Sequence, residues 1–261
     1  MRKTFLALIF CINWSTVQSQ IITKEILTDK YKIILTWNDS VFFSGGMVVQ
    51  NNSDGSTVFS ADNFHSGYNS DKSADLNNDG SSEFLLELGT GNTRSDYNMY
   101  VIFDFLKGAE PLCEVHNAEV ISNVDKVPEI ISNVRIGDPK MEAKYSYSLL
   151  YNDGKLILNT NTKDSKVLKE LVPFEEDYSD LINEYTKASG ECDAGSSVGN
   201  YYEAYSTQQK IVGNEDAGWK FFDKNYKCDN KSSIKNELRK SVEDNYSIIS
   251  NPDSYNFKNK D

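Results

Sequence analysis

The chain has 261 residues, which is enough to bury one large hydrophobic core or two modest ones. Hydrophobic residues make up 39% of it and aromatic residues 12%, a composition that excludes a disordered chain and favours a folded, β-rich protein. The formal net charge is −12, from 27 basic and 39 acidic residues, which makes nucleic acid a poor partner.

The first 19 residues have the features of a secretion signal. Arg2 and Lys3 give a positive start, a short apolar run follows, and Val17 and Ser19 fit the small-residue positions of a cleavage site. We therefore predict a signal peptide cleaved after Ser19 and a secreted or periplasmic protein. The apolar run is too short to span a bilayer, and no stretch of about 20 apolar residues occurs elsewhere, so no membrane span is expected.

Three cysteines follow the predicted signal, so at most one disulfide can form within the chain. Cys192 and Cys228 lie in the same third of the sequence and flank a helical segment, and we predict that they pair. Such a bridge closes a loop of about 36 residues and is worth about 3–4 kcal/mol in the chain-entropy model. Cys113 alternates with Val115 in a strand-like segment, which predicts a small buried side chain rather than a reactive thiol.

Residues 20–163 have the pattern of an antiparallel β domain. Short runs of β-branched and aromatic residues are separated by turn clusters, and Asp54-Gly55 and Asp153-Gly154 suit hairpin turns with positive φ. The predicted strands are 31–37, 41–43, 47–49, 57–60, 84–88, 99–105, 130–134, 145–151 and 155–158.

Residues 164–261 change to a helical period. We predict a helical hairpin in which residues 201–212 and 216–226 are joined by the turn Gly213-Asn214-Glu215, followed by a further helix. The tail over 251–261 is polar and is expected to fray. The sequence therefore predicts a signal peptide over 1–19, a β-repeat domain over 20–163 and a disulfide-linked helical domain over 164–261.

An internal repeat relates two parts of the β domain. Residues 77–85 are similar to residues 123–131 at an offset of 46, which aligns Glu83 with Glu129. A period in the forties is the size of a propeller blade, but a closed propeller normally has at least four blades. Either further blades have diverged or the β structure is open. The predicted fold class is mainly β with a C-terminal helical region (α+β): antiparallel, propeller-blade-like repeats, then a helical bundle or hairpin.

The strongest chemical motif is the segment over residues 75–83, whose sequence is DLNNDGSSE. Hard cations such as Ca²⁺ take several oxygen ligands from a tight loop, and Gly80 permits the sharp bend. The candidate ligands are the side chains of Asp75, Asn77, Asp79 and Glu83 and the backbone carbonyl of Ser81. Glu83 could instead close the loop. The alternative interpretation is an Asx-type turn with exposed acids.

The strand that follows this loop makes it resemble the calcium loops of FG-GAP/VCBS repeats, which occur in integrin-type propellers and many secreted bacterial proteins. The resemblance covers residues 74–88 and, more weakly, residues 118–160. It implies that Asp75, Asn77 and Asp79 bind a structural calcium ion. In the second unit Ile121 replaces the first acid and Lys126 replaces the glycine, so that unit is expected to keep a turn without an ion.

Motifs for catalysis are few. The chain has no His-x₃-His, Cys-x₂-Cys or Gly-x-Ser-x-Gly motif and no glycine-rich phosphate loop. Glu114 and His116 share a strand face, so an acid–imidazole pair is conceivable. We expect a secreted, non-enzymatic binding or adhesion module with a protein or glycan ligand.

Two alternatives stay open. The first is a secreted or periplasmic hydrolase that uses a pair of Asp or Glu residues as acid and base. The second is a cell-envelope inhibitor or assembly factor that uses the aromatic residues of its helical hairpin as a contact face. These aromatic residues are Tyr201, Tyr205, Trp219 and Phe222.

Overall fold

The computed structural model describes residues 19–41, 44–91, 98–121, 127–137, 143–161, 178–184 and 192–257. Within them the chain forms three four-stranded antiparallel sheets followed by a helical region. The predicted fold class, mainly β with C-terminal helices, is confirmed. The predicted signal peptide and the predicted boundary at 163/164 fall outside the described residues, apart from Ser19.

Each sheet is a meander whose strands pair in sequence order. The first sheet contains β1 (Ile21–Leu27), β2 (Tyr31–Asn38), β3 (Gly45–Asn51) and β4 (Thr57–His65). The second contains β5 (Gly67–Ala74), β6 (Glu83–Gly89), β7 (Asn98–Phe103) and β8 (Cys113–His116). The third contains β9 (Ala118–Ile121), β10 (Glu129–Ile136), β11 (Ala143–Asn152) and β12 (Lys155–Leu158). This is the strand order of a propeller blade, and the sequence repeat coincides with the second and third sheets.

The second sheet lies between the other two. Alternate side chains of β6 and β7, such as Leu86 and Val101, share a core with the first sheet. The intervening side chains, such as Leu85 and Ile102, share a core with the third sheet. Because both faces of this sheet are covered, Phe84, Leu85 and Leu86 of β6 are consecutive apolar residues rather than alternating with polar ones. Each fully buried leucine contributes about 1.5–3 kcal/mol relative to an exposed one.

The first described residues of the helical region, 178–184, are helical. It continues with α1 (Ser197–Ile211), α2 (Glu215–Asn225) and α3 (Lys231–Ser250), so the predicted hairpin is present. Helices α1 and α2 cross closely at Gly218, where an added Cβ would lie 2.9 Å from the Cα of Ser206. None of the described helices combines the length and the apolarity that crossing a bilayer requires.

A glutamine side chain joins the helices to the third sheet. The described pairing of β12 with β11 ends at Leu149, so within the described residues no strand pairs with the backbone of Ser146 on that side. The Gln208 side chain takes this place: its Oε1 accepts from the Ser146 N–H at 2.7 Å and its Nε2 donates to the Ser146 carbonyl at 2.8 Å. Ile211 and Ile249 belong to the same buried cluster as the third sheet, so one core is shared by sheet and helices.

The C-terminal tail is ordered through residue 257, so the prediction that it frays is wrong for this part. Tyr255 is buried against Tyr147 of the third sheet. Phe257 donates its N–H to the Leu112 carbonyl beside the second sheet and packs its ring on Phe59 of the first sheet. Although the tail is polar overall, its two aromatic side chains pack against all three sheets and hold it in place.

The predicted strand over 41–43 is also wrong at the position that the structure describes. Val41 lies in a bend after β2 and is half exposed, while residues 42 and 43 are outside the described ranges. A strand prediction from β-branched and aromatic residues fails here because the chain is turning between two paired strands.

Candidate metal loop and its surroundings

The predicted calcium loop is the hairpin connection between β5 and β6, whose ends are paired as Ala74 and Glu83. Leu76 has a fully buried side chain and anchors the loop to the core between the second and third sheets. Asn78 and Gly80 have φ values of +57° and +88°, which turn the chain back sharply. Asparagine and glycine are the residue types that adopt positive φ values most readily, so the sequence favours this loop conformation.

Side chains of the loop hold its own backbone. The Asp75 carboxylate accepts from the N–H groups of Asp79 at 3.1 Å and Gly80 at 2.9 Å. The Asn77 Oδ1 accepts from the Asp79 N–H at 3.0 Å, and the Asp79 Oδ1 accepts from the Ser81 N–H at 2.8 Å. The loop therefore brings three of the predicted ligands, Asp75, Asn77 and Asp79, to one surface turn.

Hydrogen bonds to the charged form lower the pKa of the Asp79 carboxyl. The largest contribution is the Ser81 N–H, followed by the Asn77 amide, with a smaller one from the positive charge of Lys107. The Asp79 carboxylate is therefore held in its ionised form, which is the form that a calcium ligand requires.

Glu83 takes a different position from the other predicted ligands. Its side chain is buried, with 2% of the residue exposed, and its Oε2 accepts from the Leu76 N–H at 2.7 Å. Burial raises the pKa of this carboxyl, and the charges of Asp104 and Asp79 raise it further. Glu83 was considered either as a metal ligand or as a residue that closes the loop. Its hydrogen bond to the Leu76 N–H matches the second role.

The donor set of the loop suits a hard cation. It consists of the exposed Asp79 carboxylate, the half-buried Asp75 carboxylate, one amide oxygen and backbone carbonyls such as that of Ser81, which is the chemistry of Ca²⁺ sites rather than zinc sites. Among the described residues, no three His, Cys, Asp or Glu side chains lie close enough together to hold a metal ion. A calcium ion here would depend on Asp75, Asn77 and Asp79, with carbonyls and water as the remaining ligands.

A polar network lies beside the loop, between the second and third sheets. Phe84 pairs with Phe103, so Glu83 and Asp104 are neighbours across the two strands. The Tyr151 hydroxyl donates to Asp104 at 3.2 Å. Both carboxylates are almost fully buried and both have internal partners, so this carboxylate pair supports a structural role better than the acid–base pair of a hydrolase.

The second repeat unit keeps the buried glutamate. Glu129 starts β10 as Glu83 starts β6, and 3% of it is exposed. Its Oε2 accepts from the Ser148 hydroxyl and from the Asn159 amide. Residues 122–126 of that loop, which include Asn123 and Asp125, lie outside the described residues.

Glu114 and His116, which the sequence offered as one option for an acid–imidazole pair, are in contact, with 3.0 Å between the Glu114 Oε1 and the His116 Nε2. Glu114 is buried and the His116 side chain is half exposed. Cys113 is buried, its thiol donates to the Gly154 carbonyl at 3.2 Å, and burial raises its pKa to about 12. A thiol in this environment is inert as a nucleophile.

The structure contains the disulfide between Cys192 and Cys228, whose Cα atoms are 6.0 Å apart. This is the predicted pairing. The Asn230 amide donates to the Cys192 carbonyl at 2.8 Å, which further fixes the segment before α1 against the start of α3.

The four aromatic residues of the helical hairpin are buried and do not form an exposed contact face. Each is at most 7% exposed, and all four belong to one buried cluster: Tyr201, Tyr205, Trp219 and Phe222. The contact face imagined for an envelope inhibitor or assembly factor therefore cannot be built from these side chains.

An open groove lies between the first two sheets, next to the metal loop. Its volume is about 540 Å³, and its lining includes Ser81 and Ser82 of the loop together with Phe84. Leu27 and Leu106, which are 73% and 70% exposed, border it. The groove adjoins the candidate metal loop through Ser81 and Ser82, so a ligand bound there would contact the loop as well.

Comparison with protein-family models, with curated proteins and with solved structures gives no match. The chemistry of the described side chains is thus the basis for the function proposed next.

Proposed function

We propose that the chain is a secreted, non-enzymatic binding module whose second sheet is stabilised by a calcium ion in the loop over residues 75–83. The observation that carries the proposal is that Asp75, Asn77 and Asp79 lie in one turn directly before a buried strand. Their side chains accept hydrogen bonds from the backbone N–H groups of that turn. Oxygen donors at alternate positions of such a turn are the ligands that Ca²⁺ prefers.

The role of the ion would be structural. Asp79 is an exposed acid and Asp75 a half-buried one above the buried carboxylates of Glu83 and Asp104, and a divalent cation would offset their mutual repulsion. An ion that binds only the folded chain adds about 2.7 kcal/mol of stability at a free concentration 100 times its Kd. For a chain of this size such a gain raises the Tm by about 5–10 °C.

The binding role rests on the groove beside the loop. Exposed leucines at its border and hydroxyl groups in its lining suit a protein or glycan ligand. The disulfide supports an oxidising compartment, which agrees with export.

Thermal unfolding of residues 20–261, with calcium and with chelator, tests the proposal. We expect calcium to raise the Tm of the wild-type chain and Asp79→Ala to abolish this increase. Asp54→Ala is the matched control, because the Asp54 Oδ1 likewise accepts from the N–H and hydroxyl of Ser56 in an exposed turn. A wild-type Tm that does not respond to calcium, or an equal loss in both variants, would contradict the calcium role.

A further inference from the structure

β1 is an edge strand: within the described residues it pairs with β2 alone, and no backbone hydrogen bond reaches its outer side. At one end of the β1–β2 pair the Gln20 carbonyl accepts from the Asp39 N–H at 3.5 Å. At the other end the Thr28 N–H donates to the Tyr31 carbonyl at 2.9 Å. Hydrogen-bonded positions alternate along an antiparallel pair, so the even-numbered residues of β1 bond to β2 and the odd-numbered ones point their backbone groups outward. The outward-facing N–H and C=O groups are those of Ile21, Thr23, Glu25 and Leu27.

The apolar residues of this edge are placed symmetrically about Lys24. The strand reads IITKEIL, so Ile21 and Leu27 occupy its two ends, and Ile22 and Ile26 are the next pair inward. Ile21 and Leu27 are 72% and 73% exposed, the highest values among the large apolar side chains of the described residues. An edge strand with exposed apolar residues is a template for pairing with another strand. The symmetry indicates which strand, because a two-fold axis through the middle residue makes such a strand complementary to a second copy of itself.

We propose that β1 pairs antiparallel with β1 of a second copy of this chain, about a two-fold axis at Lys24. The two first sheets then form one continuous eight-stranded sheet, with four strands from each copy. The outward backbone groups of Ile21 meet those of Leu27 of the second copy, and those of Thr23 meet those of Glu25. The whole length of the free edge is thereby hydrogen-bonded, and no edge is left for a third copy at this site.

Side-chain chemistry selects this register over its neighbours. On the second face of the strand it places Ile22 opposite Ile26 of the second copy, so apolar residues face each other on both faces. A shift of two residues in one direction places Ile22 opposite Lys24. The same shift in the other direction places Glu25 opposite its own copy, and like charges directly opposed are destabilising. The register that covers the full strand is therefore also the one with the best side-chain pairs.

The size and charge of the interface make the dimer weak. The Lys24 Nζ is 4.8 Å from the centroid of the Tyr68 ring in β5, so the edge of the second sheet lies beside β1 and shares the interface. Two edges about 10 Å apart and about 23 Å long bury about 900 Å² in total, less than the roughly 1,200 Å² of a standard interface. Lys24 also opposes its own copy across the axis. Dimerisation should therefore need high chain concentration and should strengthen with salt, which screens this repulsion.

Sedimentation velocity of residues 20–261 tests the proposal. We expect a shift from monomer to dimer between about 5 and 300 µM chain, the range of a weak interface. Thr23→Pro removes one outward N–H, and proline is tolerated on an edge strand where the N–H faces solvent, so this variant should fold and stay monomeric. Ile21→Lys should raise the Kd about tenfold, because the pair that it breaks occurs twice in the dimer. Ile248→Lys is the matched control, since Ile248 is 62% exposed on α3, and its Kd should equal that of the wild-type chain.

Cysteine cross-linking tests the register. In the proposed dimer Lys24 faces its own copy at a non-hydrogen-bonded position, where Cα atoms are about 4.5 Å apart, so Lys24→Cys should form an intermolecular disulfide under mild oxidation. Thr23 is offset from its own copy by two residues, which separates the Cα atoms by about 8–9 Å, so Thr23→Cys should not cross-link. The free thiol of the chain, Cys113, is buried and does not compete.

Three results would overturn the proposal. The first is a wild-type chain that stays monomeric up to about 300 µM at both low and high salt. The second is a dimer that Ile21→Lys weakens no more than Ile248→Lys does. The third is cross-linking of Thr23→Cys that is as efficient as that of Lys24→Cys. If circular dichroism shows that Thr23→Pro does not fold, the comparison of Ile21→Lys with Ile248→Lys decides, because both replace an exposed isoleucine.

Discussion

Replacing Tyr255 with alanine tests whether the C-terminal tail is part of the core. The residue is 6% exposed, its ring lies 6.4 Å from that of Tyr147, and its hydroxyl donates to the Ile249 carbonyl at 3.1 Å. Removing a buried aromatic side chain costs about 3–5 kcal/mol. Tyr255→Phe removes the hydroxyl alone and leaves a buried carbonyl without this donor, which costs about 1–3 kcal/mol.

Urea unfolding at constant pH and calcium concentration measures both variants. Ile248→Ala is the control, since Ile248 is close in sequence but 62% exposed, and a surface change of this kind stays within about 0.5 kcal/mol. We expect the free energy of unfolding to fall most for Tyr255→Ala, less for Tyr255→Phe and least for the control. If Tyr255→Ala costs no more than Ile248→Ala, the docked tail does not contribute to the folded state and the reasoning fails.

Two further predictions concern the packing of the sheets and helices. His65 is fully buried with its Nδ1 unpartnered, and burial lowers its pKa despite the nearby Gly46 carbonyl. At falling pH the unfolded chain therefore binds a proton at this histidine before the folded chain does, so the free energy of unfolding should decrease below pH 6.5. The decrease should be smaller in His65→Gln than in the control His116→Gln. Urea unfolding at pH 7.5 and at pH 5.5 measures it. Gly218→Ala should cost about 1–3 kcal/mol, because its Cβ would meet the Ser206 backbone; an unchanged Tm would contradict that crossing geometry.

Most of the strands that the sequence predicted have buried side chains, with the largely exposed segment 57–60 of β4 as an exception. β7 is apolar at five of its six positions and β6 contains three consecutive apolar residues, because both faces of their sheet are covered, and such runs identify them without further information. β5 was missed because it is an edge strand with mostly exposed polar residues, and its pairing with β6 decides its structure. Local composition cannot reveal a strand whose stability comes from pairing with residues 9 to 22 positions away.

For the candidate site, the sequence predicted the local turn but not the direction of Glu83. Spacing alone placed Asp75, Asn77 and Asp79 in one turn, because alternate polar residues before a glycine bond to their own backbone. Spacing could not decide the direction of Glu83, since a carboxylate at the start of a strand can face the loop or the core. The deciding facts are tertiary: Asp104 lies across the ladder, and the third sheet covers both residues.

The inward direction of Glu83 determines how calcium binding should affect unfolding. The loop is fixed by the Leu76 side chain in the core and by the Glu83 carboxylate on the Leu76 N–H, so it cannot open without exposing buried groups. It belongs to the middle sheet, whose two faces carry the cores shared with both neighbours. A cation that stabilises this loop therefore stabilises the cooperative unit as a whole. Its effect should appear as a shift of the global Tm, with hydrogen exchange slowed in β6 and β7 as well as in the loop.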